Sequence, residues 1–197
     1  MPDPDEPTVI LGDRFVAALA LAVELHAHQA RKANGVPYVS HLLAAAGLVL
    51  EHGGDEDTAI AALLHDGPED QGGEATLARI RAELGDRVAD IVAACSDTFE
   101  SPKPPWRARK EAFVARLPRA GSDVWLVALA DKVHNARTLV ADLRADGPAT
   151  LDRFTGGRDG TLWYYRTLAD RLTELAPGPL ATELAELATE MERRAGR

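Results

Sequence analysis

Four ionisable side chains, His65, Asp66, Glu69 and Asp70, fall within six residues, directly after the apolar pair Leu63-Leu64. Imidazoles and carboxylates crowded beside a core repel or desolvate one another unless a cation gathers them, and a divalent metal is the simplest such cation. The plainer possibility is a helix end whose polar residues face water. Pro68 lacks an amide hydrogen and clashes with the carbonyl four residues earlier, so a helix that reaches His65 must end or kink here.

A metal needs ligands from elsewhere in the chain. His41 follows PYVS at the start of an apolar stretch, where a surface or otherwise satisfied histidine is the commoner reading and a ligand the alternative. Asp131 stands in VALADKVHNARTL, where burying a carboxylate without a partner is costly. Asn135 and Thr138 follow at helical spacing and share its face. That face is either a solvent stripe or a buried polar pocket. Two imidazoles and two carboxylates make a mixed nitrogen and oxygen site, which suits manganese, iron or zinc better than calcium. Such a site leaves positions open for water and makes hydroxide available near neutral pH.

Two basic segments could meet an anion. Arg31-Lys32 is read as the end of the first helix, where cations also complement the helix dipole. Arg grips phosphate or stacks on a flat base, and Lys acts as a point charge. Lys103, Arg107, Arg109 and Lys110 form the second cluster, in PKPPWRARK; a solvated charged face is the alternative. His26 and His28, two apart on a helix, face different ways and fit no ligand pair. His52 reads as a helix terminus, and His134 as a neighbour of the pocket. Trp106, Trp125 and Trp163 read as packing residues. The tyrosines of LWYYR could border a pocket.

The elements that must position these residues are nearly all helical. Residues 8–33 carry a helical apolar pattern that includes Phe15, Leu19, Ala22 and Val23, broken at Gly35-Val36-Pro37. A helix from about Pro37 through His41 to His52 stops at Gly53-Gly54. Residues 55–66 form the next, with an acidic first turn. Helices over 74–84, 86–96, 106–117 and 123–143 follow, the last with Val124, Val127, Leu129, Val133, Leu139 and Val140 inward. A Gly-rich loop at 156–160 precedes a helix over 161–175, and Pro177-Gly178-Pro179 separates a last charged helix. The expectation is an all-α protein with a disordered lead over 1–7, one domain over 8–176, and a C-terminal helix within 177–197.

The chain has 197 residues, 46% hydrophobic and 27% charged, with a net charge of -9. That balance is ordinary for a globular domain able to bury a core. The acidity argues against a nucleic-acid or membrane-surface role. No apolar run reaches the ~18 residues of a membrane helix, and the acidic, Pro-rich start is unlike a signal peptide. One cysteine, Cys95, leaves no internal disulfide framework. A cytoplasmic protein is expected.

The segments HQARKANGVPYVSH, LLHDGPED and LADKVHNARTL, in this order, resemble the HD-domain hydrolases of the RelA/SpoT type, especially the small alarmone hydrolases. The resemblance covers roughly residues 10–170. It implies a helical HD-domain fold with one manganese ion, held by His41, His65, Asp66 and Asp131. It implies release of the 3′-pyrophosphate from guanosine tetra- and pentaphosphate. Glu69 and Asp70 match the pair that orients or activates water. Arg31 and Lys32 match contacts to base and phosphates, Asn135 and Thr138 match nucleoside contacts, and Lys103 matches a phosphate-facing lysine. Gly67-Pro68 departs from the usual small-plus-aliphatic pair, Ala33-Asn34 stands where a polar residue is common, and 145–165 matches poorly. With no synthetase segment following, hydrolysis without synthesis is expected. The partner implied is a small-molecule nucleotide, not nucleic acid or membrane. Two other readings stay open: an HD-type phosphohydrolase of another nucleotide, such as a deoxynucleotide or a nicotinamide dinucleotide phosphate, and a non-catalytic alarmone sensor.

Overall fold

A computed structural model describes residues 9–31, 35–100 and 102–196. The expected lead over 1–7 lies outside the described residues, and so does Lys32. Ten α-helices make up the regular structure described: α1 (Asp13–Leu25), α2 (Val39–Glu51), α3 (Glu56–Leu64), α4 (Gly67–Asp70), α5 (Gly73–Leu84), α6 (Asp86–Cys95), α7 (Trp106–Arg116), α8 (Ser122–Asp146), α9 (Gly157–Leu175) and α10 (Pro179–Arg194). Short 3-10 turns at Leu117–Arg119 and Pro148–Arg153 complete them. Among the described residues the β geometry is an isolated antiparallel bridge between Ala30 and Pro37.

The site is positioned by α3, the most enclosed helix. Asp55 caps its start, accepting from the Thr58 amide at 3.0 Å and the Thr58 hydroxyl at 2.7 Å. Ala59 through Leu64 then have no exposure at all. A helix apolar on every side must be surrounded, and α1, α2, α6 and α8 pack around this one. Its alanines let those neighbours approach closely, and its C-terminus delivers His65 and Asp66 to the middle of the molecule. Arg87 on α6 ties the start of α3 to α8, reaching Asp55 at 2.6 Å and Asp123 at 2.8 Å.

The longest helix, α8, has 25 residues and spans about 37 Å at 1.5 Å per residue. Val124, Val127, Leu129, Val133, Leu139 and Val140 are all buried, as their spacing predicts. Asp131 lies midway along it. Beyond, α9 and α10 pack against α8 and each other, with Leu168, Leu172, Leu184 and Met191 fully buried.

Three expected boundaries shift. The first helix ends at Leu25, with His26 as its C-cap. The described residues between His26 and Tyr38 then lie outside any helix, with Arg31 N–H donating to Val36 O at 2.8 Å and Tyr38 N–H to Gln29 O at 2.9 Å. Arg31 therefore sits beyond the helix and not at its end. The helix expected over 55–66 stops at Leu64, and Gly67-Pro68 opens the one-turn α4, where a proline in the first turn loses no helical hydrogen bond. The Gly-rich segment 156–160 lies mostly within α9 instead of preceding it. Val23, placed on the apolar stripe of the first helix, is 50% exposed; Ala18, Leu21 and Ala22 face inward.

Candidate metal centre and cleft

His41 from α2, His65 and Asp66 from the turn after α3, and Asp131 from α8 meet in one cluster. Potential ligand atoms of His41, His65 and Asp66 all lie within 4.8 Å of one another. Nε2 of His65 is 3.1 Å and Nε2 of His41 is 3.6 Å from Asp66 Oδ2. Asp131 Oδ1 is 3.3 Å from His41 Nε2 and 3.7 Å from His65 Nε2. Both Nε2 atoms are buried and have no hydrogen-bond partner.

The other ring nitrogens explain how these two point inward. His65 Nδ1–H donates to Ala62 O at 2.8 Å, so in the neutral ring Nε2 keeps its lone pair. His41 Nδ1 meets His134 Nδ1 at 2.8 Å. Burial and the neighbouring His41 and Arg31 push His134 down to about 4, so it is neutral at pH 7 and can accept that proton. Histidines that bind metals are commonly oriented in this way through their second nitrogen.

Electrostatics draws positive charge to the same point. Burial alone would disfavour a charged His65, yet the Asp66 and Asp131 carboxylates hold it well above the ordinary imidazole value. Burial would raise both carboxylates, but His65 holds Asp66 below the usual carboxylate range. Lys132, in contact with Asp131 Oδ2, is the first of the cations that do the same for Asp131. The buried and unpartnered imidazole nitrogens beside anionic oxygens fit a divalent transition metal.

A cleft of about 490 Å³ opens beside the cluster. Three of its lining residues each hold one of the carboxylates. Tyr38 donates to Asp66 Oδ2 at 2.6 Å, Asn135 donates to Asp131 Oδ1, and Lys132 contacts Asp131. Arg31, Lys103, Arg109, Lys110, Lys132 and Arg153 line the cleft, against Glu69, Asp70 and Asp142. An acidic protein thus gathers cations in one concavity. Trp106, Tyr164, Tyr165 and Phe154 supply aromatic wall.

Residues 18–161 match the family described as HD domain. The chain belongs to the HD-domain family. Relatives include the guanosine-3′,5′-bis(diphosphate) 3′-pyrophosphohydrolase MESH1 of Xenopus tropicalis, 37% identical over 64% of this chain and 69% of that protein. A probable guanosine-3′,5′-bis(diphosphate) 3′-pyrophosphohydrolase of Synechocystis sp. is 37% identical over 63% of this chain but 16% of its own length. The chain thus spans only a small part of that longer relative. The fold superposes with a TM-score of 0.73 on the solved structure of a metazoan ortholog of SpoT said to hydrolyse ppGpp, at 23% identity, covering 96% of this chain and 99% of that one.

In this HD-domain protein, the expected acidic pair stands apart from the four clustered residues. Glu69 Oε1 lies 3.1 Å from Lys103 Nζ and 3.5 Å from Arg109 Nη1. Asp70 Oδ2 accepts from Gln29 Nε2 at 2.9 Å. Cations of the cleft and the Gln29 amide meet Glu69 and Asp70, because α4 turns the pair away from the cluster and toward the cleft. Arg31 donates to Asn135 Oδ1 at 2.8 Å, which joins two residues 104 apart in sequence. Thr138 lines the cleft and donates back to His134 O at 3.1 Å.

Several cleft residues are not singled out by sequence. Tyr38 belongs to the PYVS segment, which gives it no role of its own there, and Lys132 hides beside Asp131. A lysine next to an aspartate in an apolar helix is nonetheless a signal of a buried pair. Trp106 both packs and lines the cleft. A Cβ on Gly156 would fall 2.7 Å from its ring, and one on Gly160 would fall 3.0 Å away, so the two glycines form a socket for the indole. Phe154, Arg153 and Thr161 come from the 145–165 segment, which matches the family poorly and gives none of the three a role.

Proposed function

We propose that the protein is a metal-dependent phosphohydrolase that releases pyrophosphate from the 3′ position of guanosine tetra- and pentaphosphate. The observation that carries this reading is the pair of buried, unpartnered His41 and His65 nitrogens facing Asp66 and Asp131, beside a cation-lined cleft. The names of the MESH1-type relatives support the substrate.

His41, His65, Asp66 and Asp131 would hold the metal, with manganese the first choice and iron or zinc also suited to the donor set. Such an ion supplies a Lewis acid and a water acidified toward neutral pH. The chain's own residues do the rest. Glu69 or Asp70 takes the proton of the attacking water, a contribution of about 10²–10⁴-fold. Lys103, Arg109, Lys110 and Lys132 neutralise charge that develops on the phosphoryl oxygens and the departing pyrophosphate. Arg31 grips a phosphate or stacks on the base together with Tyr38, over whose ring it already lies at 5.9 Å. Asn135 and Thr138 face the nucleoside, and Lys32 is assigned to the same region by resemblance.

The test is a panel of nucleotides incubated with manganese-loaded protein, with products separated and identified. The expected result is pyrophosphate plus guanosine 5′-diphosphate from the tetraphosphate. Turnover confined to deoxynucleotides or nicotinamide dinucleotide phosphates would replace the substrate, and binding of the tetraphosphate without turnover would make the protein a sensor.

A further inference from the structure

Asp97 touches both charged walls of the cleft without lining it. It follows α6 closely and is 8% exposed. Its Oδ2 accepts from Arg109 Nη1 at 3.0 Å and also contacts Lys110 Nζ. Its backbone amide donates to Glu69 Oε2 at 3.3 Å. The preceding residue is pinned: Ser96 O accepts from Arg116 Nη2 at 2.8 Å, and Ser96 Oγ donates to Val92 O at 3.0 Å. Ser96 is thus anchored to the framework, and Asp97 beside it ties that anchor to Glu69, Arg109 and Lys110 of the cleft.

One nitrogen is contested. Arg109 Nη1 lies 3.0 Å from Asp97 and 3.5 Å from Glu69. A guanidinium this enclosed, 13% exposed in its side chain, pairs with whichever carboxylate is on offer, because leaving it unpaired is costly. Lys103 already reaches Glu69 from the solvent side. With Asp97 removed, Arg109 has Glu69 as its nearest anion. Glu69 would then be clamped between two cations and less able to accept a proton.

We infer that Asp97 is a positioning residue that keeps Arg109 from closing on Glu69. The inference rests on the assignment of Glu69 to proton transfer proposed above. Asp97 acts through Arg109, and the arginine remains available to a phosphate entering the cleft. Two signatures follow that a simple packing role lacks. Loss of the Asp97 charge lowers kcat more than it raises KM, because the cations stay in the cleft. Shortening Arg109 to lysine as well restores part of the lost kcat, because the cation stays in the cleft but no longer reaches Glu69.

The experiment measures kcat and KM on guanosine tetraphosphate for the manganese-loaded full chain and three variants. Asp97→Asn is expected to lose about tenfold or more in kcat. Asp97→Asn/Arg109→Lys, which keeps the cleft cation but shortens its reach, is expected to exceed the single variant in kcat by about threefold. Asp97→Glu keeps the charge and is expected to retain kcat within about threefold, which keeps the inference open to refutation if the Asn variant misfolds. An unchanged kcat in Asp97→Asn, a double variant no faster than the single one, or an Asp97→Glu loss as large as that of Asn overturns the inference. If the unmodified protein is inert on the tetraphosphate, the functional reading fails instead. A crystal structure of Asp97→Asn then decides the inference alone. Arg109 Nη1 drawn inside its present 3.5 Å from Glu69 supports it, and Arg109 left in place overturns it.

Discussion

Asp131 serves the imidazole cluster and a buried cation at once. One oxygen faces His41 and His65, and the other contacts Lys132. Asp131→Ala should therefore abolish manganese binding and turnover together. It should also cost about 3–5 kcal/mol of stability, because Lys132 is left as an uncompensated buried charge. Asp131→Ala/Lys132→Met should recover most of the stability and none of the metal binding. Chemical denaturation and manganese titration separate the two effects; a single variant that still binds manganese would remove Asp131 from the site. Cys95 makes the residue-scale pH prediction. Burial pushes its thiol up to about 12, above the ordinary thiol value of about 8.5. In the native protein it should resist alkylation at pH 8 and react only after unfolding. The sign for stability follows: the unfolded thiol ionises first, so native stability is unaffected below about pH 8.5 and falls as pH rises toward about 12. A native alkylation rate equal to that of the unfolded chain would contradict this.

At the scale of elements, α3 and α7 show how the site is aimed. The Asp55 cap fixes where α3 starts, and its length then sets where His65 falls. Asp55→Ala should cost about 0.5–2 kcal/mol through the lost cap. Burial would raise the Asp55 carboxyl, but hydrogen bonds from Arg87 and Thr58 hold it below its usual range. The wild-type advantage over Asp55→Ala should accordingly be present near neutral pH and fade as acid titrates Asp55. Thermal melts of both proteins across pH check this. On α7, Trp106 is seated on Gly156 and Gly160 of the loop and helix opposite. Gly156→Ala should force the indole out, at about 1–3 kcal/mol for the overpacking. It should raise KM more than it lowers kcat, since α7 carries Arg109 and Lys110 but none of the clustered metal-site residues. Tryptophan fluorescence should report the displaced ring; an unchanged spectrum and KM would refute the socket.

Taken whole, the molecule packs α10 across α8 and α9, on the far end of the chain from the HD turn. Leu184→Ala removes a side chain with no exposure and should cost about 2–5 kcal/mol while leaving manganese affinity unaltered in the folded protein. Denaturation and metal titration again separate the two. No helix among the described residues is long and apolar enough to cross a membrane.

What the sequence by itself determined is the local chemistry: helices with an apolar period, breaks at Gly and Pro, and ionisable residues placed where an apolar neighbour makes them expensive. The inward face of α8 and the cost of His65, Asp66 and Asp131 beside apolar neighbours were legible because each obeys or violates a short-range rule, whereas His41 joined them only through the resemblance. Only the tertiary structure decided the rest. The first helix stops at His26 although nothing in Ala27 or His28 forbids continuation, because Gln29 bonds to His26, Tyr38 and Asp70 and Arg31 bonds to Val36, contacts that a longer helix would forfeit. Val23 fits the apolar period and is exposed, because a period shows that a stripe exists and not which part of it meets a partner. Glu69 and Asp70 sit four or five residues from His65, yet their partners lie on residues 29, 97, 103 and 109. Which cation answers which carboxylate depends on distances across the fold, and the chain order does not contain them.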